Sequence, residues 1–162
     1  MRLVVADFRA RRRAGVALAG FALGIGVMTF RAGAAQATVI VNSTADVVAD
    51  EGFCTLREAA TAVNTQAASG ATPGECAAGD AGSTSVIFAL PAGSTIALLA
   101  GSPIVFERSV WVWGPGMDEL TLTLGAGSSR LLVFDGRIAG GNFSLSGVTL
   151  AYGEGTIPFD LN

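Results

Sequence analysis

The second half of the chain is a series of short segments rich in β-branched and aromatic residues, none of them long enough for an ordinary helix. Gly, Pro, Ser, Asp and Asn separate these segments, a pattern typical of β-strands joined by tight turns. The predicted strands are residues 86–88, 95–98, 110–113, 120–124, 131–134 and 143–150. This pattern predicts an all-β structure for the region.

Comparable apolar positions recur in these strands at a nearly constant interval. The two series are Val86, Val110 and Val133, and Ile96, Leu120 and Phe143. Successive members of each series are about 23 to 24 positions apart, within the range of solenoid repeats. Such repeats bury their apolar faces by stacking, which predicts a parallel β-helix of about three coils with each series in one column. A β-sandwich is the alternative, because short strands with regularly spaced turns occur in both folds.

The first 37 residues have the pattern of a secretory signal. Its parts are the basic residues Arg9, Arg11, Arg12 and Arg13, the uncharged apolar run 14–30, and Ala35-Gln36-Ala37 with small residues at the cleavage site. An uncleaved anchor is the alternative, but the run of about 17 residues is near the lower limit for a spanning helix, and four glycines interrupt it. We predict cleavage after Ala37, export to the cell surface or medium, and no membrane insertion of the mature chain.

Removal of the signal leaves an acidic chain. Four arginines remain against 12 acidic residues, so the mature net charge is near −8. A chain this acidic, with no run of positive charge, is not expected to bind nucleic acid. The whole chain has no histidine and no lysine, which excludes histidine-based nucleophilic and metal sites, Schiff-base lysines and the P-loop.

The acidic residues do not predict a metal site. Asp46, Asp50 and Glu51 cluster before a predicted helix, and Asp118 and Glu119 lie in a predicted turn. Calcium takes roughly six to eight oxygen ligands, and neither set supplies them. We predict no metal, no cofactor and no catalytic residue.

A short helix is predicted directly after Cys54. Thr55 and Glu58 have the spacing of a capping box, in which each residue's side chain accepts a hydrogen bond from the other's backbone N–H. The apolar residues that follow fall on one helical face: Leu56, Ala59, Ala60 and Val63. The segment 66–83 is rich in Ala, Gly, Ser and Thr and reads as a loop. Cys54 and Cys76 are the two cysteines of an exported chain, which favours a disulfide that ties this loop down.

The segment from Cys54 to Ala60, followed by Asn64, resembles the CSLREA motif found near the N-terminus of many exported bacterial β-helix proteins. A strand such as 38–44, followed by Ala45-Asp46, commonly precedes that motif. The chain departs from the motif at Thr55, where the motif has Ser, and at Ala60, where it has Ile. The resemblance implies the N-terminal capping element of a right-handed parallel β-helix, in a group of mostly surface or secreted proteins of undefined activity.

These patterns predict three regions. Residues 1–37 are the signal, residues 38–84 hold the N-terminal strand, the capping helix and the disulfide loop, and residues 85–162 form the coils. No capping element resembling the helix follows the last predicted strand. The coils are therefore expected to be truncated at the C-terminal end.

Trp111 and Trp113 alternate with Val110 and Val112, so both tryptophans lie on one face of a strand. Because the valines suit an interior, we predict that the tryptophans point outward, where paired aromatic rings can stack on sugars. Cover by a neighbouring loop is the structural alternative. The expected partner is thus a carbohydrate or another cell-surface component.

Two classes of function remain open at the level of sequence. The first is a non-enzymatic β-helix module, adhesin-like or structural, that presents a long repetitive surface. The second is a carbohydrate-active enzyme fragment, a polysaccharide lyase or glycoside hydrolase, which is an argument from fold alone. Arg108, Arg130 and Arg137 lack clustered acids at coil spacing, and this favours the module. A non-functional truncation is the third reading.

Overall fold

The structure is a computed structural model, and it describes residues 36–98, 102–125, 130–136 and 141–151. These residues belong to one compact unit, Ala34–Asn162. Within the described ranges the chain forms β1 (Thr38–Val41), α1 (Leu56–Thr65), β2 (Thr84–Phe88), β3 (Ser94–Leu98), β4 (Ile104–Phe106), β5 (Val110–Trp113), β6 (Leu120–Leu124), β7 (Leu132–Phe134), β8 (Phe143–Ser146) and β9 (Thr149–Ala151). The predicted signal lies outside the described residues except for Gln36 and Ala37, and so does the segment 152–162.

The strands form three sheets. Their strand orders are β1-β2-β5-β8 in the four-stranded sheet, β3-β6-β9 in the three-stranded sheet and β4-β7 in the two-stranded sheet. Every strand pair in the described part of the chain is parallel. From β2 onward the chain visits the four-, three- and two-stranded sheets in that order and then repeats it. The antiparallel sheets of a β-sandwich do not fit this pairing.

The interior is built from alternate residues of these strands. In the four-stranded sheet Val39, Val86, Val112 and Leu145 stand in one row of register partners. Their neighbours along each strand point the other way because side chains alternate across a strand. The first three residues of the row are buried and Leu145 is partly buried against them. The core therefore lies on one side of this sheet and leaves its other side outward.

The aromatic part of the core joins two sheets. Phe106 in β4 pairs in register with Phe134 in β7, and the ring of Phe143 in β8 lies 5.4 Å from that of Phe134 and 6.1 Å from that of Phe106. Centroid separations in this range are favourable for aromatic pairs. These three rings pack the two-stranded sheet against the four-stranded sheet.

The predicted columns are wrong in register. Val86 pairs with Val112 rather than Val110, and Val133 belongs to the two-stranded sheet, where it pairs with Val105. The sequence separation between register partners is also not constant. It is larger from β5 to β8, where Val110 pairs with Phe143, than from β2 to β5.

The second predicted column is wrong for the same reason. Ile96 pairs with Leu122, two positions beyond the predicted Leu120, and Phe143 lies in the four-stranded sheet opposite Val110. A shift of two positions preserves the side-chain alternation, so Leu120 is still buried and Thr121 half-exposed. In this column the inward and outward faces were therefore predicted correctly although the partners were not. In the first column the inward position of Val133 is also wrong, because Val133 alternates with Leu132 and Phe134, which pack against the core.

One strand was not predicted. Strand β4 has three residues directly after Pro103, and a proline beside so short an apolar run counts against a strand in sequence. Without β4, its partner β7 was assigned to the column of β2 and β5. The predicted strand 143–150 also divides into β8 and β9, because Gly147 has a φ of 66° and turns the chain toward the next sheet.

Candidate functional site

The start of helix α1 is held by reciprocal hydrogen bonds. The Thr55 hydroxyl accepts from the N–H of Glu58 at 3.2 Å, and Glu58 Oε2 accepts from the N–H of Thr55 at 2.9 Å. Both bonds of the capping box are therefore present. Glu58 Oε1 also accepts from the N–H of Ala49 at 2.7 Å, so this buried carboxylate ties the preceding loop to the helix as well.

The two cysteines form the predicted disulfide. Cys54 and Cys76 have their Cα atoms 4.6 Å apart, and both side chains are buried. Cys54 is also joined to the end of β1, because its N–H donates to Asn42 Oδ1 at 2.7 Å and its carbonyl accepts from the N–H of Asn42 at 3.0 Å. The bridge thus fastens β1, α1 and the loop that follows α1 to one another.

Asn64, near the end of α1, hydrogen bonds to the free edge of β4. Its Nδ2 donates to the carbonyl of Val105 at 2.8 Å, and its Oδ1 accepts from the N–H of Glu107 at 2.9 Å. Arg108 Nε donates to the backbone carbonyl of Asn64 at 2.9 Å. Helix α1 is therefore fixed to this strand by both the side chain and the backbone of one residue.

The Asn64 contacts repeat the pattern of a parallel strand. The N–H of Ile104 and the carbonyl of Phe106 are bonded to residues 131 and 135 on the β7 side, so the polar groups of Val105 and Glu107 face the opposite edge. A residue of a neighbouring parallel strand would donate its N–H to the carbonyl of Val105 and accept from the N–H of Glu107, the residues on either side of Phe106. The Asn64 carboxamide takes that role and covers an edge that would otherwise be open to pairing.

Asp46 and Arg57 form a second attachment of the helix. Arg57 Nε lies 2.7 Å from Asp46 Oδ1, and its Nη2 lies 2.9 Å from Oδ2, so the pair is bidentate. Arg57 also donates to the carbonyl of Ser102 at 2.9 Å. Asp46, one of the acidic residues that cluster before the helix, is buried in this ion pair.

The other acidic residues of this region hold loops together. Hydrogen bonds from the Ser69 hydroxyl and from the backbone N–H of Gly52 keep the pKa of Glu75 below its ordinary value. Hydrogen bonds from Thr72 lower the pKa of Asp50. Within the described ranges, no group of three or more Asp, Glu, Cys or His residues is arranged to hold a metal ion.

The outward side of the four-stranded sheet is the candidate binding surface, and we call it the tryptophan face. It consists of the outward residues of the four strands: Thr38, Ile40, Ser85, Ile87, Trp111, Trp113, Ser144 and Ser146. Trp111 is 36% exposed and Trp113 is 48% exposed, while Val110 and Val112 are buried. The predicted outward orientation of both tryptophans is confirmed.

The tryptophan face is ordered in rows across the strands. One row reads Thr38, Ser85, Trp111 and Ser144 and the next reads Ile40, Ile87, Trp113 and Ser146. Neighbouring rows are about 7 Å apart, and residues within a row are about 4.8 Å apart. Each tryptophan therefore has a serine beside it on β8, and Trp111 has a second serine beside it on β2.

A pair of glycines ends this face next to Trp113. Gly114 follows β5 and Gly147 follows β8, and the backbones approach so closely that a Cβ on Gly114 would overlap the Gly147 carbonyl oxygen. The N–H of Gly116 donates to the same carbonyl at 2.9 Å. Glycine is therefore required at this turn. Because β5 ends directly before Gly114, Trp113 lies at the border of the sheet.

Sequence patterns identified some of these residues and missed others. The cysteines, the capping pair and the tryptophans were predicted, since each has a local pattern. The contact of Asn64 with β4 and the serines beside the tryptophans were missed, because both depend on pairing between segments far apart in the chain. The arginines suggested for an enzyme are not grouped in the described part, since Arg108 is bound to α1 and Arg137 lies outside it.

Comparison with known proteins adds no assignment: no protein-family model, curated protein or solved structure matches this chain. In the residues that the structure describes, no helix has the length and apolar character needed to cross a membrane.

Proposed function

We propose that this chain is an exported, non-enzymatic module whose strands form a right-handed parallel β-helix with α1 as its N-terminal cap. The observation that carries this proposal is the repeated order in which the chain visits its three parallel sheets. Such an order arises when the chain winds in coils and each strand stacks on the strand of the preceding coil. The right hand follows from the strong preference of parallel strand connections for that hand.

The cap is supported by the contacts of the helix. Strand β1 is the edge of the four-stranded sheet, and α1, which follows it, lies against β1 and β4. A helix at this position closes the stack where an open coil would expose unpaired backbone groups. The same segment carries the resemblance to the CSLREA motif, and we propose that the chain is related to exported proteins with that motif.

Export is supported by the buried disulfide. Disulfides persist in oxidising compartments and are rare in the cytosol, and the Cys54–Cys76 bridge is an integral part of the cap. Together with the signal-like residues 1–37, this favours a surface or secreted location. A module of this type acts through an extended surface, adhesin-like or structural, rather than through a catalytic cleft.

The experiment is to express the whole chain in a secreting bacterial host beside a version that starts at Thr38. The whole chain should leave the cytoplasm, begin at Thr38 after processing, and contain the oxidised Cys54–Cys76 bridge, while the shortened version should remain inside. The Ala37 carbonyl accepts a hydrogen bond from the N–H of Ser85 at 2.9 Å. Once this bond has formed, the cleavage site is part of the sheet, so we expect the signal to be cleaved before the sheet forms.

Two results would contradict the proposal. Recovery of exported protein that still begins at Met1 would show that the signal is not cleaved. Release of unsaturated or reducing sugars from plant or bacterial polysaccharides by the purified chain would show that it is a carbohydrate-active enzyme and not a non-enzymatic module.

A further inference from the structure

We propose that the tryptophan face binds an uncharged polysaccharide chain, with sugar rings stacked on Trp111 and Trp113. This inference rests on the proposed function, since it assigns a ligand to the outward surface of the exported module. The face combines two exposed indole rings with a serine beside each of them on β8 and a second serine beside Trp111 on β2. That combination is more specific than an exposed apolar patch.

A pyranose ring has an apolar C–H face and a rim of hydroxyl groups, and the tryptophan face matches both parts. The indole rings offer flat apolar surfaces for the C–H face. Ser85 and Ser144 lie beside Trp111, and Ser146 lies beside Trp113. Each serine hydroxyl both donates and accepts, so the hydroxyl rim of a sugar finds partners without a charged group.

The charge of the surface selects against other ligands. None of the eight residues of the tryptophan face is charged, whereas the mature chain is near −8. An anionic polysaccharide or phosphate-bearing ligand would therefore meet no cation on the face and a repulsive field around it. A neutral sugar meets neither penalty.

The shape of the surface favours a polymer over a single sugar. Within the described residues, parallel in-register strands place both tryptophans on the outward side of one sheet, whereas a small ligand is usually buried between concave walls. Two stacking positions about 7 Å apart can each hold one ring of a chain. Joining two weak contacts through one chain raises the overall affinity above that of either contact.

The experiment uses the fluorescence of the protein that is exported when the whole chain is expressed. Trp111 and Trp113 are the two tryptophans of the chain, so intrinsic emission at tryptophan-selective excitation reports on this surface alone. The probes are amorphous cellulose, chitin, mannan and xyloglucan as neutral polymers, and polygalacturonate as an acidic polymer. Binding to insoluble polymers is measured by depletion and binding to soluble ones by the shift in emission.

The variants are Trp111→Ala and Trp113→Ala, and the control is Phe53→Ala. Phe53 is a 52% exposed aromatic residue outside the sheets, so its truncation tests general apolar adhesion. Loss of either tryptophan should weaken binding by about tenfold or more, as for a central aromatic contact. Trp113→Phe should retain most of the affinity, and Phe53→Ala should bind as the parent does.

The outcomes separate this inference from the proposed function. Binding of at least one neutral polymer, with an emission shift and loss in both alanine variants, supports it. It is overturned if the exported, disulfide-bonded protein binds none of the four neutral polymers, prefers polygalacturonate, or loses binding equally in Phe53→Ala. The proposed function survives each of those results, because it concerns export and the capped stack. Circular dichroism and thermal unfolding of each variant identify any loss that comes from misfolding.

Discussion

At the scale of single residues, Asn64 shows how one side chain can replace a strand. Its carboxamide bonds the carbonyl of Val105 and the N–H of Glu107, the two groups that face away from β7. The sequence marked Asn64 only as part of a motif. Its role was not predictable, because the strand that it contacts is very short and was itself not predicted.

Substitution of Asn64 tests this role. Asn64→Ala leaves the Val105 carbonyl and the Glu107 N–H without their partner, and the free energy of unfolding should fall by about 1 to 3 kcal/mol. Asn64→Asp should be similarly destabilised, since a carboxylate has no N–H for the Val105 carbonyl. Both effects are measured by urea denaturation of the purified protein with the Cys54–Cys76 bridge intact.

Thr65→Ala is the matched control for Asn64. Thr65 is the exposed next residue, and its hydroxyl donates within the helix, to the carbonyl of Thr61. Its substitution should change stability by less than about 0.5 kcal/mol. Equal stability of Asn64→Ala and Thr65→Ala would show that the helix is held without the carboxamide.

At the scale of elements, the parts with local patterns were predicted and the parts set by pairing were not. The predicted helix start, the disulfide and the bounds of β5 and β6 agree with the structure. Capping residues and alternation are visible within about ten residues, and a chain with two cysteines allows one intramolecular pairing. Strand β4 and the division of 143–150 into two strands required tertiary contacts. Short strands are recognised by the neighbours that they pair with, and a single sequence does not contain those neighbours.

The disulfide is the element-scale feature with the clearest energetic consequence. Cys54 and Cys76 close a loop with a sequence separation of 22, for which the chain-entropy estimate is about 3 kcal/mol. Cys54→Ser and Cys76→Ser should each lower the free energy of unfolding by a comparable amount. The double variant should be little worse, because removal of either sulfur opens the same loop.

Additive losses in the double variant would argue against this account. They would mean that each of these buried side chains stabilises the fold by its own packing. The bridge itself would then contribute little to the free energy of unfolding. Thermal or denaturant unfolding of the three variants under oxidising conditions distinguishes the two cases.

At the scale of the whole molecule, the arrangement of strands follows from stacking rather than from a strict repeat. The sequence separation of register partners increases from Val86 and Val112, through Ile104 and Leu132, to Val110 and Phe143. The turns therefore absorb variable lengths of chain while the strands remain aligned, and the expected constant period failed for that reason. The predominance of β-strands and the faces of β5 and β6 were still predictable, since alternation does not depend on turn length. The face of Val133 was not, because its strand was assigned to the wrong sheet.

The register itself can be tested by engineered cross-links on the outward side of the three-stranded sheet. Thr95 and Thr121 are register partners in β3 and β6, whereas the constant period expected from the sequence would instead pair Ala97 with Thr121. Adjacent parallel strands are about 4.8 Å apart, within the Cα separation of a disulfide, while a two-residue displacement adds about 6.6 Å along the strand and exceeds it. Thr95→Cys with Thr121→Cys should therefore oxidise to a second bridge, detected by mass spectrometry after proteolysis, and Ala97→Cys with Thr121→Cys should not. The native cysteines are buried and bridged, so they should exchange little with the new pair. Preferential closure of the 97–121 pair would show that β3 and β6 pair in the register of the constant period instead.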